Sequence, residues 1–196
     1  MNTVEKMTEA KVIRIKSNNT VKNGYACLSN FWPFVKLEAQ ERAYVQFPAL
    51  RQNDGSFTLD DVKYASVEHY FQAHKYKHQP DVFRLIRTQS TALEAKRANT
   101  KQYRKHNNPI DLNAWTAKRD SVMLEALRGK FQQNLQLQEV LVSTFPKKLV
   151  EAGRADYWCG ADGKLGHLLM QVRQELISEQ ADDGDHEPSA KRQKLS

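Results

Sequence analysis

The chain has 196 residues, enough for one domain with a sizeable core, and 40% of them are hydrophobic. No apolar run approaches the roughly 20 residues of a membrane span, and the opening "MNTVEKMTEAK" has no hydrophobic region of the signal-peptide kind. An intracellular, cytoplasmic protein with no membrane partner is therefore expected. Lys plus Arg number 30 against 23 Asp plus Glu, a net charge of +7; this suits an anionic partner such as a phosphate, a nucleotide or nucleic acid, and equally suits a merely solvated basic surface. The two cysteines, Cys27 and Cys159, make neither a metal-ligand pair nor a disulfide framework and read as reduced thiols.

In chain order, residues 1–10 read as a flexible N-terminus, 11–178 as the domain, and 179–196 as a disordered polar tail. "KVIRI" (Lys11 to Ile15), "RAYVQF" (Arg42 to Phe47) and "SFTLDDVKY" (Ser56 to Tyr64) lean toward strand, with turn signals at Asn23-Gly24 and Asp54-Gly55. From Ser66 onward the pattern is helical. Thr91-Ala92-Leu93-Glu94 has the form of a capping box, and Trp115 to Phe131 and Leu165 to Ile177 are the longest periodic segments. In the second, Leu165, Leu168, Leu169, Val172 and Leu176 make one apolar stripe. The fold class is thus α+β, a mainly helical single domain with a small N-terminal β-sheet. In the tail, Lys191, Arg192 and Lys194 form a short basic cluster of the kind that serves in nuclear import.

The stretch "YASVEHYFQAHKY" (Tyr64 to Tyr76) raises the question of chemistry. At 100° per residue, Glu68, Gln72 and Lys75 fall within a stripe about 60° wide, bordering an arc of Val67, Tyr70, Phe71, His74 and His78. Glu68 and Lys75 lie about 10.5 Å apart along the axis, beyond the spacing of an intimate helical ion pair. Either a ligand lies between them, or Gln72 bridges them, or the stripe is only a solvated face. His74 and His78, four apart, are a possible metal pair lacking further ligands at a metal-site spacing, and no metal is expected.

Three other stretches carry polar groups among aromatics. On the Trp115 helix, Arg119 shares a face with Trp115, Val122 and Ala126, with Lys130 near its edge; such a cation either snorkels to the rim or points into a polar pocket. "LSNFWPF" sets Ser29 and Asn30 beside Phe31, Trp32 and Phe34, rings that either stack on a planar base or pack in the core. "DYWCGADGKLGHLLM" leads Asp156 and Trp158 through Gly160, Gly163 and Gly166 into the last helix, with a glycine spacing unlike the dinucleotide fingerprint.

Taken in order, "LSNFWPF", "YASVEHYFQAHKY", "EAK" (Glu94 to Lys96), the Trp115-to-Asn134 segment ending "ALRGKFQQN", "LVEAGRADYWCG" and "LGHLLMQVRQEL" resemble the NADAR, or YbiA-like, domain family over roughly Val12 to Leu176. The resemblance implies a single, mostly helical domain that hydrolyses an N-glycosidic bond without a cofactor. It implies two substrate classes: phosphoribosylamino-pyrimidine intermediates of riboflavin biosynthesis, and ADP-ribose on guanine in nucleic acid. By motif position, Glu68 and Lys75 are expected in the active site, with Ser29, Asn30, Phe31, Gln72, Trp115, Arg119, Asp156 and Trp158 around it. The chain departs from the family in its short "ADGKLG" loop, with Lys164 near the usual Asn, and in "TFPKK" before "LVEA".

Cleaving a C1′–N bond builds positive charge on the ribose. Glu68 is suited to stabilise that charge and take a proton from water, Lys75 or Arg119 to hold a phosphate or offset the leaving base, and Asp156 to act as a second acid. The rival expectations are a module that binds ADP-ribose or a nucleotide without turning it over, and a protein that associates with nucleic acid through charge alone.

Overall fold

The computed structural model describes residues 12–16, 23–105 and 110–184. Strand β1 (Val12–Ile15) buries Ile13 and Ile15 in alternation, the period-two pattern of a half-covered strand. Its partner is the distant β4 (Lys148–Glu151), which runs parallel to it with Ile13 opposite Leu149 and Ile15 opposite Glu151. The second sheet is a hairpin of β2 (Phe57–Leu59) and β3 (Val62–Tyr64). Its turn residues Asp60 and Asp61 have φ of 49° and 58°, the left-handed pair that a tight two-residue hairpin needs and Asp tolerates. The sheet expected in the N-terminal part is therefore two pairs, one of them completed only near the end of the chain.

"RAYVQF" reads as a strand in the sequence but forms the second half of helix α1 (Leu37–Gln46) and the residue after it. Only Ala39 and Ala43, four apart, are buried in α1, while Val45 is 77% exposed. Two alanines leave so thin an apolar stripe that the β-leaning Tyr44 and Val45 dominate the pattern.

Helix α2 (Val67–His74) is the centre of the molecule, and all eight of its residues are buried. It packs against α3 (Pro80–Arg87), α4 (Ala92–Lys105) and α5 (Leu112–Gln132). Ser66 caps it by accepting from the backbone N–H of His69. At α4 the cap also forms, with Glu94 N donating to Thr91 Oγ1 at 3.2 Å. A helix buried all round cannot leave its polar side chains to water, so Glu68 and Gln72 must find partners inside the protein.

Helix α6 (Leu135–Ser143) and helix α7 (Lys164–Gly184) close the fold. All five stripe residues of α7 are buried, and the helix packs on α5, α6 and β4. Gly166 permits the last contact: a Cβ there would stand 2.3 Å from the carbonyl oxygen of Leu149. The helix runs through Gly184, beyond Ser178, where the polar tail was expected to follow. Residues 1–10 and the cluster Lys191, Arg192 and Lys194 lie outside the described residues. Among the described residues, no helix is long and apolar enough to cross a membrane.

Candidate active site

The polar stripe of α2 faces a cavity of about 260 Å3. Glu68, 3% exposed, stands at its wall and is held at three points. Its backbone N–H donates to the Asn30 carbonyl at 3.0 Å, the Asn30 Nδ2 donates to Oε2 at 2.6 Å, and the Gln72 Nε2 donates to Oε1 at 2.7 Å. Gln72 also accepts from Lys75 Nζ at 2.8 Å through its own oxygen. The amide thus bridges acid and ammonium across the gap that α-helical spacing leaves between them. Of the three arrangements the sequence allows for this stripe, the structure has the bridge, and the cavity leaves room for a ligand as well.

Burial pushes the Glu68 carboxyl above the ordinary range, opposed by the Gln72 hydrogen bond and the charges of Lys96 and Lys75. Lys75 is pushed down to about 8, chiefly by burial, with Glu68 pulling the other way and Lys96 adding to the depression. Its ammonium lies 5.3 Å from the Phe71 ring centroid and 5.6 Å from that of Trp115, so aromatic faces keep water from one side of it.

Of the ten residues expected at the site, seven line this cavity or complete its polar chain: Glu68, Lys75, Gln72, Asn30, Phe31, Asp156 and Trp158. Asp156 is exposed, and its Oδ1 accepts from the backbone N–H of Trp158 and of Cys159, both at 2.8 Å; it shapes the loop that carries Trp158. The other three stand behind the walls. Ser29 is fully buried, and its carbonyl accepts from Lys130 Nζ at 2.9 Å. Trp115 packs edge-on against Phe71. Arg119 turns away, its guanidinium 3.4 Å from the Tyr157 ring centroid. Tyr157 donates to Asp120 at 2.6 Å, and Asp120 also pairs with Lys164 at 3.1 Å. Arg119, Asp120 and Lys164 together tie the loop of Trp158 to α5, so Lys164 has a structural partner here.

Lys130, expected near the edge of its helix face, is entirely buried and donates to the carbonyls of Cys27 and Ser29 at 2.7 and 2.9 Å. It holds the loop from which Asn30 reaches Glu68. The charged cavity residues that sequence reasoning missed are Lys96, from α4, and Glu151, at the end of β4. Each lies inside a quoted motif, "EAK" and "LVEA"; for Glu151 the signal available was an acid after two apolar residues, whereas Lys96 lies among the charges of Glu94 and Arg97 and carries no such signal. Among the described residues, no group of three or more His, Cys, Asp or Glu is placed to hold a metal ion.

Comparison with known proteins agrees with this architecture. A family model described as the NADAR domain matches residues 18–177. The chain belongs to the NADAR domain family. It is 35% identical over 127 residues to the N-glycosidase YbiA of Escherichia coli, covering 62% of this chain and 76% of that protein. An N-glycosidase of Nostoc punctiforme is 31% identical over 163 residues, covering 78% of this chain and 86% of the relative. The NMR structure of E. coli YbiA superposes with a TM-score of 0.64 at 29% identity, covering 92% of each chain. A maize chloroplastic riboflavin biosynthesis protein, PYRR, is 31% identical over 129 residues, which is 60% of this chain and 20% of the maize protein.

Proposed function

We propose that this NADAR domain is an N-glycosidase that hydrolyses the bond between ribose C1′ and a base or amino-pyrimidine nitrogen in a phosphorylated N-riboside. The observation that carries the proposal is the buried carboxyl of Glu68, fixed by two amides at the wall of a cavity that also holds two lysines. Amide donors on both oxygens oppose the effect of burial on the carboxylate, and an anion held beside C1′ stabilises an oxocarbenium-like transition state without reorganising. The same carboxylate takes a proton from the attacking water. Lys75 and Lys96 bind the phosphate, and Phe31 and Trp158 flank the base.

The substrate belongs to one of two classes, the phosphoribosylamino-pyrimidines of riboflavin biosynthesis or ADP-ribosylated guanine in nucleic acid. The names of the relatives support the first, and the net charge of +7 suits the second. The test offers both classes to the purified chain and identifies the products. Release of ribose phosphate or ADP-ribose is expected from one class, with turnover lowered by about 10²-fold or more in Glu68→Gln, in line with the loss of a general base. Near-wild-type hydrolysis by Glu68→Gln would remove the carboxylate from the mechanism. Tight binding with no bond cleavage would make the domain a binding module instead.

A further inference from the structure

The cavity holds a second buried carboxyl, which has no part in the chemistry of Glu68, Lys75 and Lys96. Glu151 is 8% exposed and lines the same cavity as Glu68. Its Oε2 is buried without a hydrogen-bond partner among the described residues. Glu68 carries an amide donor on each oxygen, an environment that suits an anion, whereas Glu151 has a buried oxygen with no donor to satisfy a charge. Burial pushes both carboxyls toward the neutral form, but only Glu68 has a donor on each oxygen to oppose it, and a pair of carboxyls so distinguished can divide base from acid as in glycoside cleavage.

We propose that Glu151 is the general acid of this site, giving its proton to the departing base nitrogen while Glu68 serves the sugar. This rests on the N-glycosidase reading. The C1′–N electron pair goes to the base nitrogen, which takes the Glu151 proton. The water oxygen bonds to C1′, and its proton goes to Glu68. Solvent returns that proton to Glu151, so each turnover consumes one water and yields the free base and the free sugar.

Besides Lys75 and Lys96, which share the cavity wall, the charged and titratable groups around Glu151 come from four places in the fold. Lys16 follows β1, Lys130 comes from α5, Glu68 from α2, and Cys159 and Asp156 from the loop. The two lysines oppose protonation, but Lys130 directs its ammonium to the carbonyls of Cys27 and Ser29. Burial outweighs both cations and pushes Glu151 up to about 8, aided by the negative charge of Glu68. The carboxyl is also rigidly mounted, since β4 buries Leu149 and Val150 and pairs with β1, the support a proton donor needs. Asp156, the acid offered by the sequence, lies on the exposed loop, and one of its oxygens is taken by two backbone N–H groups.

The test measures kcat and KM against pH on whichever N-riboside the wild type cleaves. Glu151→Gln is expected to lower kcat by about 10²-fold or more, to abolish the alkaline limb of the kcat profile, and to change KM by less than about 3-fold. Glu151→Asp should recover part of the rate, as a merely structural role would not require. Independently of activity, infrared titration of the wild type should show a protonated carboxyl band at pH 6 that disappears as pH rises through about 8 and shifts in Glu151→Asp. This arm stands even if the glutamine variant does not fold. A wild type that cleaves N-ribosides while Glu151→Gln keeps its rate and profile overturns the assignment, as does absence of the infrared band. A wild type inert on all N-ribosides sinks the glycosidase reading itself, a distinct result.

Discussion

Replacing Gly166 by Ala tests whether the cavity depends on the close seating of α7 on β4. The added methyl would lie 2.3 Å from the Leu149 carbonyl oxygen and 3.1 Å from its carbon. Carbon and oxygen normally approach no closer than about 3.3 Å, so helix and strand must separate by about 1 Å. Both sides are main chain and cannot yield by a rotamer change. Overpacking of this kind costs about 1–3 kcal/mol, and each kcal/mol lowers Tm by about 2–4 °C in a chain of this size, so a fall of about 5 °C is expected. The effect on turnover should be larger. Leu165, adjacent to Gly166, and Glu151, at the end of β4, both line the cavity, and a 1 Å displacement of reacting groups costs on the order of 10²-fold in rate. Scanning calorimetry and steady-state kinetics on the folded variant read the two effects. A Tm within about 1 °C of wild type, with kcat unchanged, would refute the claim that this contact sets the site.

Two further outcomes follow from the geometry. Lys75 has its pKa lowered to about 8, so it loses its charge as pH rises through that value; KM for a phosphorylated substrate should climb above pH 8, and Lys75→Arg should remove the climb while leaving the kcat limb assigned to Glu151 in place. Asn30→Ala deletes the donor on Glu68 Oε2, which raises the Glu68 pKa further. The acid limb of kcat should therefore move to higher pH and kcat should fall by roughly 10-fold, the effect expected of a weakened general base; an unmoved limb would show that the amide does not tune the acid.

The parts of this protein that sequence shows best are those whose pattern is local. The α7 stripe, the cap at Thr91 and the run from Glu68 to Lys75 each declare themselves within a dozen residues. The missed parts depend on distant partners. Strand β4 is four residues long and pairs with the distant β1, so no neighbouring hairpin announces it, and nothing local points to Glu151. The direction of Arg119 is left open by the sequence for the same reason: a cation among apolar residues seeks an aromatic face or an acid, and its partner Tyr157 lies on a loop far along the sequence. Lys130 could not be recognised as buried because the carbonyls that satisfy it belong to a loop about a hundred residues earlier.

The pairing of β1 with β4 sets an order of assembly. In synthesis the residues of α2, Asn30 and Glu68 precede those that floor the pocket, and until β4 is made β1 lacks the partner it has in the fold. A fragment truncated before residue 148 would keep Glu68 and lose Glu151, the Trp158 loop and α7. On the proposed chemistry such a half-site is expected to release no base from an N-riboside, which an assay of the truncated chain would check.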